Sequence, residues 1–442
     1  ILNDNGRSYA PTISRLSDSL KRLRNNPRYL EQQEKLERRV KSILPFGESV
    51  EKAIEAAKAA VREIWDPTSF FENLGLRYNG PFDGHNVEEL ERAFRNAADF
   101  EGPTVIHVLT EKGRGYGPAE NDPVKRLHDI GNPKPGSFTA AFTEALIKEA
   151  ESRQEIVAIT AAMPDSTGLL PFSERFPDRF FDVGIAEQHA TTAAAGMAMS
   201  GLRPVVAIYA TFLNRAFDQI AFDVGLHKQP VIFCLDRAGV TGPDGASHHG
   251  LLDMMLMSKI PGMTVFAPSS YQELQQMFHD ALEITEGPVC IRYPRTPAPI
   301  VHESEVGRGT RARKVRSGDD ACILAVGKML EPANQAADDL EKSGVQCSVW
   351  DVRCVSPLDT EMLKDAHKHP VVTTIEDGVV EGGIGSTIQN KLSILDGRGP
   401  LIRTLGVPVA YIPQGNPDGI LSQLSLDSKG IMESILSSRE LL

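Results

Sequence analysis

The sequence predicts an α/β fold of three parallel-sheet domains, the first of them incomplete at its N-terminal side. Helical segments alternate with short apolar strands over most of the 442 residues. These strands are continuous, largely β-branched runs, which is typical of parallel sheets covered by helices on both faces. Two segments rich in Pro, Gly or charged residues divide the chain into three parts.

Residues 1–128 are expected to form the back part of the first domain. The opening ILNDN is typical of a buried strand that runs into a loop, and a strand without earlier neighbours implies that part of the domain precedes Ile1. A polar segment with helical spacing follows at about 14–64, where we expect connecting helices. The helix VEELERAFRNAADF and the strand PTVIHVLT then predict a β/α unit.

A linker rich in Pro and Gly is predicted at 129–137, followed by a second domain at 138–300. The helix FTAAFTEALIKEAES opens the second domain, and its strands include EIVAIT, RPVVAIY, PVIFCLD and MTVFAP. After the charged segment GRGTRARKVRSGDD, a smaller third domain is predicted at 315–442 with the strands ACILAVG, QCSVWDV and PVVTTIE.

Composition excludes several classes of function. The formal charge is −12, and Lys and Arg are dispersed, so a nucleic-acid or membrane-surface footprint is not expected. No run approaches the roughly 18 apolar residues of a membrane helix. The five cysteines lack CxxC spacing and are mostly in apolar runs, so we expect buried free thiols in a reducing cytoplasm.

Polar residues follow several predicted strands of the second domain, where parallel sheets bind ligands. They are Tyr209, Phe212 and Arg215 after RPVVAIY, Arg237, Asp244, His248 and His249 after VIFCLD, and Arg295 after VCIR. Because Arg suits bidentate phosphate recognition, Arg237 and Arg295 predict a phosphate clamp; the alternative for either alone is a surface ion pair. The adjacent histidines are weak metal spacing, which favours hydrogen bonding to substrate hydroxyls.

Two further places in the sequence carry candidate site residues. Glu187 is in the first turn of an Ala-rich helix, where the helix dipole favours a carboxylate, and the alternative role is a simple cap. In the first domain, Lys112, Tyr116 and His128 lie beyond the strand PTVIHVLT, although His128 beside a linker is also typical of a solvent-exposed histidine.

Nine segments spread over the chain resemble the deoxyxylulose-phosphate synthase family: LNDN, GPFDGHN, KGRGYGPAENDP, TAAMPDSTG, DVGIAEQHA, AIYATFLNRAFDQ, LDRAGVTGPDGASHHG, IRYPR and YIPQG. The AEQ helix is shared with transketolases and with beta-type subunits of pyruvate dehydrogenase, whereas DRAG, DGASHHG and YPR are typical of the synthases. The resemblance implies domains of the transketolase-like thiamine diphosphate-binding type and an active site between the first two.

The resemblance also implies an activity. The family joins pyruvate to D-glyceraldehyde 3-phosphate, releases CO2 and forms 1-deoxy-D-xylulose 5-phosphate, a precursor of isoprenoids, thiamine and pyridoxal. The implied cofactors are thiamine diphosphate and Mg²⁺. A cytoplasmic homodimer that buries much of the third domain is expected.

Site residues carry over position by position. Glu187 matches the glutamate that hydrogen-bonds the cofactor's aminopyrimidine ring. Phe212, Tyr116 and Lys112 match further cofactor contacts. The Asn5 side chain and the Arg7 backbone carbonyl match the Mg²⁺ ligands, and oxygen donors suit that ion.

The substrate pocket carries over in the same way. The acceptor-phosphate clamp matches Arg237 and Arg295, and the residues that line the pocket match Tyr209, Asp244, His248 and His128. Both His128 and His248 are candidates for proton transfer, a common role of histidine near neutral pH.

Departures from the family pattern concern substrate contacts and completeness. Ala210, Asn214, Ser247 and Thr296 replace the more usual Ser, Gln, Thr and Gly. The family's GDG aspartate and its upstream histidines are expected before Ile1. Two alternatives remain: a transketolase, which transfers a ketol unit without loss of CO2, and an inactive paralogue or fragment with a binding role.

Overall fold

The computed structural model describes residues 1–7, 69–123, 126–128, 134–397 and 399–441. These residues form two compact units, Ile1–Ile130 and Gly131–Leu442. The predicted helices at 14–64 and the first part of the predicted linker, 129–133, lie outside the described residues.

The first unit contains a three-stranded parallel sheet in the order β1-β3-β2. Its strands are β1 (Leu2–Asp4), β2 (Arg77–Asp83) and β3 (Thr104–Leu109), and its described helices are α1 (Ser69–Asn73), α2 (Val87–Ala98) and α3 (Gly117–Glu120). Asn86 caps α2, since its side-chain oxygen accepts the Glu89 N–H at 3.2 Å. The predicted β/α unit is confirmed, and so is a strand at the start of the chain; its predicted burial is not, since Leu2 and Asp4 are partly buried and Asn3 is exposed.

The second unit holds a seven-stranded sheet in the order β13-β8-β9-β7-β6-β4-β5. Its strands are β4 (Ile156–Thr160), β5 (Phe180–Asp182), β6 (Arg203–Tyr209), β7 (Ile232–Asp236), β8 (Thr264–Phe266), β9 (Val289–Arg292) and β13 (Cys354–Ser356). All pairs are parallel except β13 with β8. The predicted parallel sheet is therefore confirmed.

Helices cover both faces of this sheet. They are α4 (Phe138–Ser152), α5 (Leu170–Arg175), α6 (Glu187–Met199), α7 (Phe217–Gln219), α8 (Asp253–Met257) and α9 (Tyr271–Glu283), with a 3-10 helix at Phe212–Ala216 and a π-helix at Ile220–Gly225. One hydrophobic cluster packs Phe142 and Phe278 against the sheet, and a second packs Ala190 and Ala194 of α6 against it. Every residue of β4, β6, β7 and β9 is buried, which explains their continuous apolar sequences.

A second sheet in the same unit has five strands in the order β10-β12-β11-β14-β15. Its strands are β10 (Arg313–Arg316), β11 (Ala321–Ala325), β12 (Cys347–Asp351), β14 (Val371–Val379) and β15 (Leu401–Val407), and the helices are α10 (Leu330–Lys342), α11 (Thr360–Ala366), α12 (Ile384–Ser393), α13 (Pro417–Gln423) and α14 (Ser428–Arg439). Short 3-10 helices lie at Pro177–Arg179, Glu303–Glu305 and Gly327–Met329. Only β10 is antiparallel to its neighbour.

The chain after residue 315 also contributes to the seven-stranded sheet. Strand β13 pairs antiparallel with β8, and Cys354 lies opposite Phe266. The two sheets are thus joined through backbone hydrogen bonds as well as through side chains.

All five cysteines are buried free thiols, as the sequence predicted. Burial raises the pKa of each thiol, for example that of Cys347 to about 11. Among the described helices, none combines the length and the apolar character that a bilayer crossing requires.

Candidate active site

Four predicted site residues form one stack at the carboxyl ends of β6 and β7. The rings of Tyr209 and Phe212 are stacked with centroids 5.6 Å apart, and the His248 ring meets Phe212 edge-on at 5.4 Å. On the other side, the Arg237 guanidinium carbon is 4.5 Å from the Tyr209 centroid. The order Arg237, Tyr209, Phe212, His248 places a cation, two aromatic faces and an imidazole along one wall.

Arg237 is a buried cation with fixed partners. It follows β7 directly with φ 58°, and only 4% of its surface is exposed. Its Nη1 lies 2.9 Å from Asp236 Oδ1 and donates to the Ser166 carbonyl at 2.5 Å. Although burial opposes the charge, Asp236 raises the pKa of Arg237 above its usual value. The guanidinium therefore stays charged.

Asp236 is a site residue that the sequence analysis missed. It is fully buried at the end of β7 and also accepts the Thr139 hydroxyl at 2.7 Å. The signal was present, because a charged residue that ends an otherwise apolar strand needs a partner inside the protein. Asp236 and Ser166 together orient Arg237.

The loop from residue 237 to residue 250 carries His248 and is held at both ends. Gly239 and Gly250 exchange backbone hydrogen bonds at 2.7 and 2.9 Å. Gly250 has no room for a side chain, since a Cβ there would lie 2.6 Å from the Arg237 carbonyl oxygen. Ser247 Oγ lies 2.9 Å from Nδ1 of His248.

His249 fixes this loop from inside, whereas its neighbour His248 belongs to the stack. His249 Nδ1 accepts the Thr241 N–H at 3.0 Å, and His249 Nε2 lies 3.4 Å from the Pro413 carbonyl oxygen. These contacts require the proton on Nε2. The two histidines thus have different partners.

Arg295 has a half-exposed side chain three residues after the end of β9, the strand beside β7. Its Nη1 donates to Asp244 Oδ2 at 2.9 Å, and the two side chains are 40% and 38% exposed. The sequence placed both residues in a substrate pocket without pairing them. An anion that approaches Arg295 would therefore compete with Asp244.

Glu187 begins α6 and is 3% exposed. Among the described residues, no hydrogen bond or ion pair to its carboxylate is found. The 3-10 helix that starts at Phe212 packs against α6. A buried carboxylate without a protein partner is costly, so the position suits a ligand that donates a hydrogen bond.

The first unit presents the residues expected near a cofactor diphosphate. At the end of β1, Asp4 Oδ1 accepts the Gly6 N–H and Asn5 Oδ1 accepts the Arg7 N–H, each at 2.9 Å. Gly6 has φ 70°, which lets the chain turn sharply there. One lone pair of the Asn5 oxygen is used by Arg7, and an amide oxygen has two.

Lys112 and His128 meet in the first unit. Lys112 Nζ lies 2.6 Å from His128 Nδ1. Because an ammonium only donates, that imidazole nitrogen accepts and carries no proton in this contact. Tyr116 precedes α3 and is 60% exposed.

A buried hydrogen-bond chain beneath the Asn5 turn was also missed from sequence. Tyr78 Oη lies 2.6 Å from His107 Nδ1, and His107 Nε2 lies 3.3 Å from Asp4 Oδ2. The chain fixes the turn that holds Asn5. Over the part of the chain that the structure describes, no group of three or more His, Cys, Asp or Glu side chains forms a metal site.

Comparison with known families covers nearly the whole chain. A model described as 1-deoxy-D-xylulose-5-phosphate synthase matches residues 1–110, one described as transketolase, pyrimidine binding domain, matches 134–299, and one described as transketolase, C-terminal domain, matches 310–431.

Curated relatives carry the name 1-deoxy-D-xylulose-5-phosphate synthase. The protein of Nocardia farcinica is 44% identical over 98% of this chain and 72% of its own length, and that of Thermobifida fusca is 40% identical over 98% and 70%. The Corynebacterium glutamicum protein is 42% identical over 99% of this chain and 72% of its own.

Solved transketolases share the fold. One described as a split gene transketolase, inactive beta4 tetramer, aligns with a TM-score of 0.62 at 30% identity over 68% of this chain and 97% of its own. The transketolase of Campylobacter jejuni aligns with a TM-score of 0.58 at 16% identity over 84% of this chain and 69% of its own. The predicted fold class is confirmed.

Proposed function

The chain belongs to the 1-deoxy-D-xylulose-5-phosphate synthase family, whose members are thiamine diphosphate-dependent transferases, and from this premise we propose how its residues perform the reaction. The enzyme joins the two carbons of the pyruvate acetyl group to the aldehyde carbon of D-glyceraldehyde 3-phosphate. The carboxylate leaves as CO2, and the aldehyde oxygen takes up one proton. The observation that carries the proposal is the clustering of Arg237, Tyr209, Phe212 and His248 at one edge of the sheet.

The residues present fit the pyrimidine end of thiamine diphosphate. Glu187 offers a buried carboxylate that lacks a partner among the described residues, and Phe212 lies on the 3-10 helix packed beside it. An aminopyrimidine ring supplies both a hydrogen-bonding nitrogen and a flat face. Glu187 would hold a proton at that ring nitrogen, and Phe212 would pack against the ring.

The chemistry that thiamine diphosphate supplies when bound is a carbon nucleophile and an electron sink, which no amino-acid side chain provides. The protein's part is to orient, to exclude water and to place charges. Burial of Glu187 favours this role, because a hydrogen bond to a carboxylate is stronger away from water.

Asn5 and Arg7 are the proposed protein ligands of Mg²⁺ bound to the diphosphate. The Asn5 side-chain oxygen and the Arg7 backbone carbonyl are hard donors of the kind that Mg²⁺ prefers. The turn is prearranged by the contacts of Asp4 with Gly6 and His107. Lys112 and Tyr116 belong to the same unit and are proposed cofactor contacts.

Arg295 and Arg237 are proposed to bind the phosphate of the acceptor aldehyde. They follow β9 and β7, which are adjacent parallel strands, so both lie at the same edge of the sheet. Arg295 makes the exchangeable contact, because its partner Asp244 is itself exposed. Arg237 supplies a permanent buried charge. Once Arg295 binds the phosphate, Asp244 is released and can bind a substrate hydroxyl. Tyr209 is a second proposed contact for a substrate hydroxyl.

His248 is the proposed proton donor to the aldehyde oxygen. Its ring is held by Phe212 and by the Ser247 hydroxyl, which leaves Nε2 for substrate. His128 is the second candidate, and its Nδ1 already accepts from Lys112, which places its own proton on Nε2. His248 offers Nε2–H when the Ser247 hydroxyl donates to its Nδ1.

A cytoplasmic homodimer completes the proposal. Four large apolar side chains near α6 and the π-helix are more than half exposed: Ile185, Met199, Phe222 and Leu226. A second copy is the proposed cover, and this surface lies on the second domain rather than the third. The related split gene transketolase is itself described as a beta4 tetramer. Five unpaired buried thiols support a reducing compartment.

The test of this proposal is product identification. The full-length protein is incubated with thiamine diphosphate, Mg²⁺, pyruvate and D-glyceraldehyde 3-phosphate, and the sugar phosphate is identified by mass and NMR. We expect a five-carbon 1-deoxyketose phosphate. Transfer of a two-carbon ketol unit from xylulose 5-phosphate, without a product from pyruvate, would contradict the proposal and favour a transketolase activity. Absence of both products would favour an inactive paralogue.

A further inference from the structure

Three buried charged side chains and one partly buried lysine form a cluster beneath the loop 237–250. Arg292 Nε donates to Asp253 Oδ2 at 2.9 Å, and its Nη1 donates to Asp377 Oδ1 at 2.5 Å. Lys328 Nζ lies 3.4 Å from Asp377 Oδ2. Arg292, Asp253 and Asp377 are each at most 2% exposed. We call these four residues the Arg292 cluster.

The cluster is formally neutral, with two acids and two bases, but its two acids differ. Burial opposes the charge of both. It raises the pKa of Asp253 despite Arg292, whereas Arg292 and Lys328 together lower the pKa of Asp377. Asp377 is thus the carboxylate that both cations stabilise, and its loss would leave buried Arg292 and partly buried Lys328 facing one acid.

Asp377 comes from β14 of the five-stranded sheet and reaches the active-site loop of the other sheet. Its Oδ2 would lie 1.9 Å from a Cβ built on Gly239, so the carboxylate lies directly against the loop backbone. Gly239 follows Arg237 by two residues and has φ 75°. Its backbone exchanges hydrogen bonds with Gly250, which closes the loop.

The same cluster also reaches the second phosphate contact. Arg292 ends β9, three residues before Arg295, and its Nη1 is held by Asp377. Asp253 begins α8, three residues after the loop ends at Gly250. One carboxylate from the five-stranded sheet therefore supports both backbone segments that carry the proposed phosphate-binding arginines.

We propose that Asp377 is a positioning residue for acceptor-phosphate binding, which makes the five-stranded sheet part of the substrate-recognition machinery. The inference rests on the proposed function of Arg237 and Arg295. Asp377 touches no substrate; it fixes the distance between the two segments. Small displacements of a binding group reduce catalysis markedly. Only the aldehyde substrate carries a phosphate, so displacement of the two arginines should affect the aldehyde and not pyruvate.

A matched control exists in the same sheet. Asp351, on β12, is also fully buried and also contacts the domain of the seven-stranded sheet, where it accepts the Ser269 hydroxyl at 2.6 Å. Ser269 follows β8, which β9 separates from β7, the strand that leads into the loop 237–250. A general loss of contact between the two sheets would affect Asp351→Asn and Asp377→Asn alike, whereas a positioning role is specific to Asp377.

The experiment compares Asp377→Asn, Asp351→Asn and the unchanged enzyme by two independent readouts. Steady-state kinetics should show KM for D-glyceraldehyde 3-phosphate raised about tenfold in Asp377→Asn, with KM for pyruvate and kcat within about twofold. Hydrogen exchange followed by mass spectrometry should show faster exchange in peptides covering 237–250. Asp351→Asn should change neither.

The inference is overturned if Asp377→Asn leaves the aldehyde KM and loop exchange unchanged, or if both KM values rise equally. Should Asp377→Asn fail to fold, Lys328→Met removes the cation beside Oδ2 and keeps the Arg292 pair; it should accelerate exchange in the loop, and unchanged exchange overturns the inference. Arg295→Ala distinguishes failure of the phosphate contact from failure of the positioning role. If Arg295→Ala leaves the aldehyde KM unchanged while Asp377→Asn still accelerates hydrogen exchange in the loop, the proposed phosphate contact is wrong and the positioning of the loop by Asp377 is supported.

Discussion

Replacement of Arg295 by Ala should weaken the use of the phosphorylated aldehyde and nothing else. A charge-assisted hydrogen bond contributes about 1.5–3 kcal/mol. In the free protein Arg295 is paired with Asp244 at 2.9 Å, and an exposed pair of this kind contributes about 0–1 kcal/mol. Phosphate binding must replace that pair, so the net loss is about 0.5–3 kcal/mol, or about 2- to 150-fold in kcat/KM.

The assay measures kcat/KM for D-glyceraldehyde 3-phosphate, for D-glyceraldehyde without phosphate, and for pyruvate. Only the first should fall, because only it presents the phosphate. Arg308→Ala is a suitable control, since Arg308 is an exposed arginine of the charged segment outside the site. An equal loss for both aldehydes would refute the phosphate contact, and so would an unchanged kcat/KM.

Three further predictions follow from the site and the buried acids. Glu187→Gln should lower kcat by about 10²–10⁴-fold while the midpoint of thermal unfolding stays within a few degrees, and near-normal kcat would contradict its role. Asn5→Ala should raise the Mg²⁺ concentration that gives half-maximal activity, and an unchanged Mg²⁺ titration would exclude Asn5 as a ligand. Burial first, and the Glu273 carboxylate second, raise the pKa of Asp351 to about 7. Asp351 binds its proton more tightly when folded than when unfolded, so its contribution to the free energy of unfolding falls as pH rises from about 4 to about 7. Urea unfolding at pH 5 and pH 8 should show this fall in the free energy of unfolding for the unchanged protein and a smaller fall for Asp351→Asn. An equal fall in both proteins would contradict the prediction.

Local sequence patterns predicted the elements well where a local cause fixes them. The helix FTAAFTEALIKEAES coincides with α4 because Ser137 caps it, accepting the Ala140 N–H at 3.2 Å. The strands of the second domain were predicted from their apolar runs because both faces are buried. Strand β13 was not, because its three residues depend on pairing with β8, almost ninety residues earlier.

The sequence indicated which residues belong to the candidate site but not which of them contact one another. Strand ends indicated Arg237, Asp244 and Arg295, because parallel strands end at one edge of a sheet. No sequence pattern pairs Arg295 with Asp244, 51 positions apart, or places Asp377 against Gly239. Such contacts depend on how separate sheets pack. The individual roles of the site residues remain predictions until they are tested.

The proposed synthase activity is tested by CO2 release from carboxyl-labelled pyruvate by the full-length protein with thiamine diphosphate and Mg²⁺. The measurement is made with and without D-glyceraldehyde 3-phosphate. We expect the aldehyde to stimulate CO2 release, with one CO2 released for each deoxyketose phosphate formed. Absence of release, or release that neither depends on the aldehyde nor yields that product, would contradict the proposed activity.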